Sequence, residues 1–216
     1  MKPLCDCRLY AFVDTAYLHG RHPVEIARQL CDGGADLVQL RAKGAPIEDV
    51  KRMASEIRPI LEAAGVGLVI NDHLKVAEQV GAEFCHLGQE DFFDAGYRHV
   101  RELPLSQPGV RIGISTHAPA QALRAVSAEA HYIAIGPVFA TGTKPGVTPV
   151  TLEYVRWAAA NVKTPWFAIG GITLQTVDSV IEAGARRICV VSAILNAPDV
   201  AAECRKFRER VDRAAV

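Results

Sequence analysis

Short, nearly continuous apolar runs recur along the chain, and most begin in the same way. A stretch of helical character ends at a small residue, and an apolar run follows. The pattern occurs at Gly33-Gly34-Ala35-Asp36-Leu37-Val38, Ala64-Gly65-Val66-Gly67-Leu68-Val69 and Gly81-Ala82-Glu83-Phe84-Cys85. It returns at Glu129-Ala130-His131-Tyr132-Ile133 and Gly184-Ala185-Arg186-Arg187-Ile188-Cys189. Glycine suits such a junction because helices often stop in a left-handed residue that only glycine adopts cheaply. With residues 9–13, 110–114 and 166–169, the runs predict eight strands. Their continuous apolar character is that of parallel strands covered on both faces.

The intervening segments carry helical spacing. Leu174, Val177, Val180 and Ile181 fall on one face before Gly184, and Leu152, Val155 and Ala159 do likewise behind Glu153. Glu153 sits in a first turn, where the helix dipole favours an anion. From 46 to 64, Ile47, Val50, Ile57 and Leu61 are in register, but Pro59 interrupts them, so a kink or a split into two helices is expected. Strands alternating with helices over this length predict a (β/α)8 barrel, a TIM barrel in the α/β class. A doubly wound open sheet is the structural rival. Against it, no G-x-G-x-x-G follows the first strand, and polar motifs follow many strands rather than one switch point. No linker or low-complexity tract divides the chain, so one barrel domain over 1–216 is expected.

Composition narrows the function classes. Of 216 residues half are hydrophobic, and 24 Lys+Arg balance 24 Asp+Glu, which argues against a general nucleic-acid or membrane-surface binder. The longest apolar runs are strand-sized, so no transmembrane helix is expected. MKPLCDCRLY lacks the apolar core of a signal peptide, which predicts a cytoplasmic protein. Six scattered cysteines, with Cys5-Asp6-Cys7 matching no zinc or CxxC spacing, read as reduced thiols.

The chemistry lies at the strand ends. Gln39, Arg41 and Lys43 alternate along the second strand and its exit, so they share one side, and their cations suit phosphate oxygens. Asn71-Asp72 ends the third strand, and taken alone could simply cap the next helix. Gln89-Glu90-Asp91 ends the fourth, however, and joined to Asp72 it makes a split carboxylate site for Mg²⁺, with Asp72 and Asp91 the better ligands and Glu90 able to face solvent. Ser115-Thr116-His117 follows a strand over 111–114. No nucleophile elbow surrounds Ser115, so its hydroxyl reads as a substrate contact and His117 as structural. A long loop from Gly136 to Gly146 carries Thr141, Thr143 and Lys144 without P-loop spacing. Gly170-Gly171 and Val191-Ser192 follow strands seven and eight, the usual place for backbone phosphate binding in barrels.

The ordered set QLRAK, IND, HLGQED, GIS-T-H, GPVFATGTK, IGGI and VVSAI, running from about Leu9 to Phe207, resembles the thiamine phosphate synthase family. That resemblance implies a (β/α)8 barrel and a Mg²⁺-dependent transferase with two small-molecule substrates. One is hydroxymethylpyrimidine pyrophosphate and the other thiazole phosphate, and they are joined with release of pyrophosphate. It further implies that Gln39, Arg41, Lys43, Asn71 and Lys144 grip the pyrimidine pyrophosphate, and that Asp72 and Asp91 ligate Mg²⁺. Ser115 would stand beside the pyrimidine, while Thr141, Thr143, Gly171, Val191 and Ser192 would hold the thiazole phosphate. An aminopyrimidine can stabilise a benzylic-type cation, so the pyrophosphate leaves dissociatively and the thiazole nitrogen attacks. Catalytic roles then fall to Arg41, Lys43, Ser115 and Lys144, and no protein nucleophile is needed. Self-association is compatible with the sequence.

Two departures stand out: Thr151 occupies a position where the family commonly carries glycine, and the segment from Tyr17 to His22 is individual. The rival readings are a thiazole tautomerase-like paralogue and a non-catalytic thiazole-phosphate-binding regulator. Neither needs the full set of cations and paired aspartates.

Overall fold

Eight strands pair in chain order, each parallel to the next, and the last returns to the first. They are β1 (Leu9–Asp14), β2 (Leu37–Arg41), β3 (Gly67–Asn71), β4 (Phe84–Leu87), β5 (Arg111–Thr116), β6 (Tyr132–Ile135), β7 (Trp166–Ile169) and β8 (Ile188–Cys189). The computed structural model describes residues 1–106, 109–142 and 148–213. Closure comes from Leu9 pairing with Ile188 and Tyr10 with Cys189, so the sheet has no open edge and the doubly wound alternative is excluded. The expected (β/α)8 barrel is the fold.

Large side chains fill the interior. The Tyr10 ring lies 5.4 Å from those of Phe12 and Phe167 and 6.0 Å from that of Tyr132. Phe84 and Phe167 meet Tyr132 edge-on at 5.8 and 5.7 Å. Such edge-to-face contacts add to the burial of the rings. Gly113 makes room for them: a Cβ there would lie 2.1 Å from Tyr132 Cζ, so β5 can carry only glycine where the tyrosine crosses.

The outer helices are α1 (Pro23–Asp32), α2 (Ile47–Ala63), α3 (Leu74–Val80), α4 (Gln89–Phe93), α5 (Pro119–Ser127), α6 (Thr151–Asn161), α7 (Val177–Glu182), α8 (Ser192–Leu195) and α9 (Val200–Arg213). Pro59 neither splits nor ends α2, which runs unbroken through it. Pro59 and Ser55 share the exposed face, so the carbonyl deprived of its donor meets water, while Val50, Met53, Ala54, Ile57 and Leu61 hold the other face. Ile47, expected on that face, is exposed. In α6 the buried stripe is Tyr154, Val155 and Ala158 rather than one ending at Ala159. Leu174 precedes α7 instead of belonging to it.

All six cysteines are free. Burial pushes the thiols of Cys7 and Cys204 up to about 11 and about 12, which makes them poor nucleophiles. No helix among the described residues is long and apolar enough to cross a membrane.

Candidate active site

The carboxyl ends of the strands open onto a cavity. Gln39, Arg41 and Lys43 line it from β2 and its exit, Asn71 and Asp72 from the end of β3, and Asp91 from the first turn of α4. Ser115 enters from β5, Thr141 from the loop after β6, Gly171 from the β7 exit, and Val191 and Ser192 from the β8 exit. The fold thus gathers into one chamber every candidate residue that falls among the described residues. Thr143 and Lys144 lie outside the described residues.

On the β1–β4 side the cavity is charged. Asp14, which is buried, takes Arg41 Nη1 at 2.8 Å and Ala16 N–H at 3.0 Å. A buried carboxylate facing a guanidinium holds it in one orientation at the cavity wall. Beyond β3, Asp72 has a φ of 62°, a left-handed conformation that aspartate tolerates better than most residues. Its N–H donates to the His86 carbonyl at 2.9 Å, fixing the turn to β4. Asp72 Oδ2 accepts from Asn71 Nδ2 at 2.7 Å and from Lys43 Nζ at 2.5 Å. Asp91 folds back over Gly88, where a Cβ would come within 2.6 Å of its Oδ2. Glu90 instead takes the Gln89 amide at 2.6 Å and is exposed.

On the opposite side the wall is backbone. The N–H groups of Gly171, Val191 and Ser192 meet no acceptor among the described residues. Gly171 has a φ of 63°, and a Cβ there would lie 2.5 Å from the Ala140 carbonyl oxygen and 2.8 Å from Phe139 Cβ. A side chain at 171 therefore collides with the loop after β6. That loop is stitched to β7 by Val138 N–H on Ile169 O at 2.8 Å and Phe139 N–H on Gly170 O at 3.0 Å.

At the floor the polar groups are linked to one another. Gln39 Nε2 donates to Tyr10 Oη at 2.5 Å, and Tyr10 and Tyr132 hydroxyls are 3.1 Å apart. Tyr132 Oη is 3.1 Å from His86 Nδ1, and His86 Nε2 is 2.9 Å from Ser115 Oγ. Complete burial raises both tyrosines well above the usual phenol range. Ser115 and Thr116 lie within β5 rather than after it, so Ser115 is held by ladder geometry. His117, which also lines the cavity, bonds the Gly136 carbonyl through Nδ1 and gives its N–H to Gln121 Oε1 at 2.6 Å.

Residues 9–194 match the model of a family described as thiamine monophosphate synthase. The chain belongs to the thiamine monophosphate synthase family. It is 43% identical over 180 residues to a thiamine-phosphate synthase of Thermus thermophilus, covering 83% of this chain and 84% of that one. A thiamine-phosphate synthase of Gloeobacter violaceus is 44% identical over 194 residues, 89% of this chain, which spans 55% of that longer protein. Among solved structures, the thiamine phosphate pyrophosphorylase from Pyrococcus furiosus superposes with a TM-score of 0.82 at 26% identity, covering 99% of both chains. The family makes the chain a transferase of thiamine biosynthesis.

Thr151 has a φ of 61°, strained for a β-branched residue and natural for glycine. Sequence reasoning missed Asp14, Tyr10, Tyr132 and the position of His86. Asp14 could have been found by the rule applied elsewhere, since it is the polar residue closing an apolar strand. The tyrosines carried no such signal, because inside an apolar run a tyrosine reads as core.

Proposed function

We propose that this enzyme couples hydroxymethylpyrimidine pyrophosphate to thiazole phosphate, releasing pyrophosphate and forming thiamine phosphate. The observation that carries the reading is one chamber with two unlike walls. Cations and carboxylates face it from β2, β3 and α4, and open backbone N–H groups face it from the β7 and β8 exits. Arg41, Lys43 and Asn71 take the pyrophosphate, and Arg41 is presented ready-aimed by Asp14. Lys144 joins them from the loop after β6. The phosphate of the second substrate lies against Gly171, Val191 and Ser192, with Thr141 and Thr143 beside it.

Asp72 and Asp91 fit a Mg²⁺ ion. Lys43 Nζ against Asp72 Oδ2 places a positive charge at contact distance from that oxygen. The described residues hold no cluster of three or more His, Cys, Asp or Glu that could bind a metal by itself. Two carboxylates suit a Mg²⁺ that takes its remaining oxygens from water and pyrophosphate. When bound, the ion supplies positive charge to the leaving group. Arg41, Lys43 and Lys144 do the same from the protein, neutralising charge as the pyrophosphate departs. Gln39, at 2% exposure, lies beneath them and gives its amide to Tyr10, so it shapes the floor on which the pyrimidine sits.

Thiamine phosphate formation from the two substrates with Mg²⁺ tests the reading. A protein that only isomerises a thiazole carboxylate phosphate, or binds thiazole phosphate without turnover, would overturn it. Lys144→Ala should lower kcat more than it weakens thiazole phosphate binding, because a contact to the leaving group strengthens as charge develops. Unchanged kcat would remove Lys144 from the reaction.

A further inference from the structure

The linked polar floor of the cavity has a direction. Gln39 Nε2 is a donor, and it points at Tyr10 Oη. Tyr10 must therefore spend its own proton elsewhere, and its other hydroxyl neighbour is Tyr132. With its oxygen accepting from Tyr10, Tyr132 donates in turn to His86 Nδ1. A neutral imidazole that accepts at Nδ1 carries its proton on Nε2, and that nitrogen faces Ser115 Oγ at 2.9 Å. Ser115 Oγ accepts, and its proton is left for the cavity it lines.

We propose that Gln39, Tyr10, Tyr132 and His86 form a one-way hydrogen-bond relay that presents the Ser115 hydroxyl to the substrate as a donor. Tyr132 and His86 are thereby positioning residues for specificity, although Tyr132 does not itself line the cavity. The relay orients and does not conduct, since a buried phenol holds its proton. Gly113 is part of the device, because its missing side chain lets the Tyr132 ring lie across the barrel to reach both Tyr10 and His86.

This inference deepens the proposed function and rests on it for the identity of the ligand. The free Ser115 proton calls for an acceptor on the substrate atom seated against it. On an aminopyrimidine that is a ring nitrogen, because the exocyclic amine has its lone pair delocalised into the ring and only donates. Ser115 thus reads which edge of the pyrimidine faces β5 and sets the orientation of the departing pyrophosphate toward Arg41 and Lys43.

The test begins with the ligand-free full chain labelled with ¹⁵N-histidine, the His86 signals being assigned by their loss in His86→Gln. Two-bond ¹H–¹⁵N correlations should place the proton on Nε2, and Tyr132→Phe should shift the ring toward the other tautomer. A wild-type proton on Nδ1 would mean that Gln39 presents its carbonyl, that every bond runs backward, and that the proposal is wrong. A tautomer unmoved by Tyr132→Phe would overturn it equally, and the wild-type measurement needs no substitution to fold. In kinetics, Tyr132→Phe should lower kcat/KM for the pyrimidine pyrophosphate by about tenfold, the scale of one hydrogen bond, with KM for thiazole phosphate unchanged. The double variant Ser115→Ala with Tyr132→Phe should be no worse than Ser115→Ala alone. Losses that multiply would show that the tyrosine acts through packing. Failure of the wild type to form thiamine phosphate would refute the proposed function and leave the tautomer result to decide the relay.

Discussion

Asp36 and Asp72 are both carboxylates with a lysine nitrogen at 2.5 Å, at opposite ends of the barrel. Asp36 precedes β2, and its side chain is 5% exposed. It accepts from the N–H groups of Arg8 and Leu9 at 2.5 and 3.0 Å, and from Arg208 of α9 at 2.8 and 2.9 Å. Its hydrogen-bonding capacity is filled by this chain alone, in regular backbone. Asp72 follows β3, is 25% exposed, and among the described residues has only the Asn71 amide and the exposed Lys43 ammonium as partners on its Oδ2. It also holds a left-handed backbone that Asp36 does not. Asp36, which staples the fold, closes its bonds within the protein, whereas Asp72, proposed above to serve a ligand, keeps capacity in reserve and holds local strain.

Four substitutions would break or sharpen that contrast. The largest effect is expected at the upper end: Asp91→Ala should cost about a hundredfold or more in turnover. Its Tm should stay within about 2 °C of wild type, as for an exposed position. Full activity at limiting Mg²⁺ would remove Asp91 from the site. At the lower end the signs should reverse. Asp36→Ala leaves Arg208, Lys2 and the N–H groups of Arg8 and Leu9 without their shared partner, and the partial exposure of the two cations holds the penalty to about 2 kcal/mol, roughly 5 °C in Tm. Thermal unfolding and steady-state kinetics on one preparation would check this, since an accompanying loss of kcat would mean the two ends are coupled.

Third, Ser192→Ala should raise KM for thiazole phosphate by about tenfold while leaving the pyrimidine pyrophosphate KM and the Tm alone. This is a cleaner probe than Gly171→Val, whose side chain would strike Ala140 O and Phe139 and is expected to lower Tm and weaken both substrates together. Equal KM values for Ser192→Ala and wild type would move the phosphate elsewhere. The smallest effect concerns Thr151, where strain has no ligand to justify it. Thr151→Gly should stabilise the chain by about 1 kcal/mol, seen as a rise of about 3 °C in Tm, with kcat unchanged. A fall in Tm would show that the Thr151 hydroxyl, 3.3 Å from the Glu153 N–H it accepts, outweighs the backbone cost.

The periodicity of apolar runs and the small residues that introduce them were enough to determine eight parallel strands, their order and the end at which the candidate site residues gather. These properties are local or follow from the handed connection of strand, helix and strand. Charged strand-end residues such as Arg41, Lys43, Asp72 and Asp91 were legible for the same reason, since polar groups at the close of an apolar run need a use. What the tertiary structure alone decided is how side chains from distant strands meet. Tyr10 and Tyr132 are 122 positions apart, and each sits in a run that reads only as core. Their pairing depends on the stagger of the closed barrel and on the space left by Gly113. The fate of Pro59 was decided there too, because packing on the buried face of α2 and water on the other outweighed one lost hydrogen bond. Apolar pattern is a one-dimensional property and survives in the sequence. Hydrogen-bond partnership across a barrel is a property of closure, and no spacing along the chain encodes it.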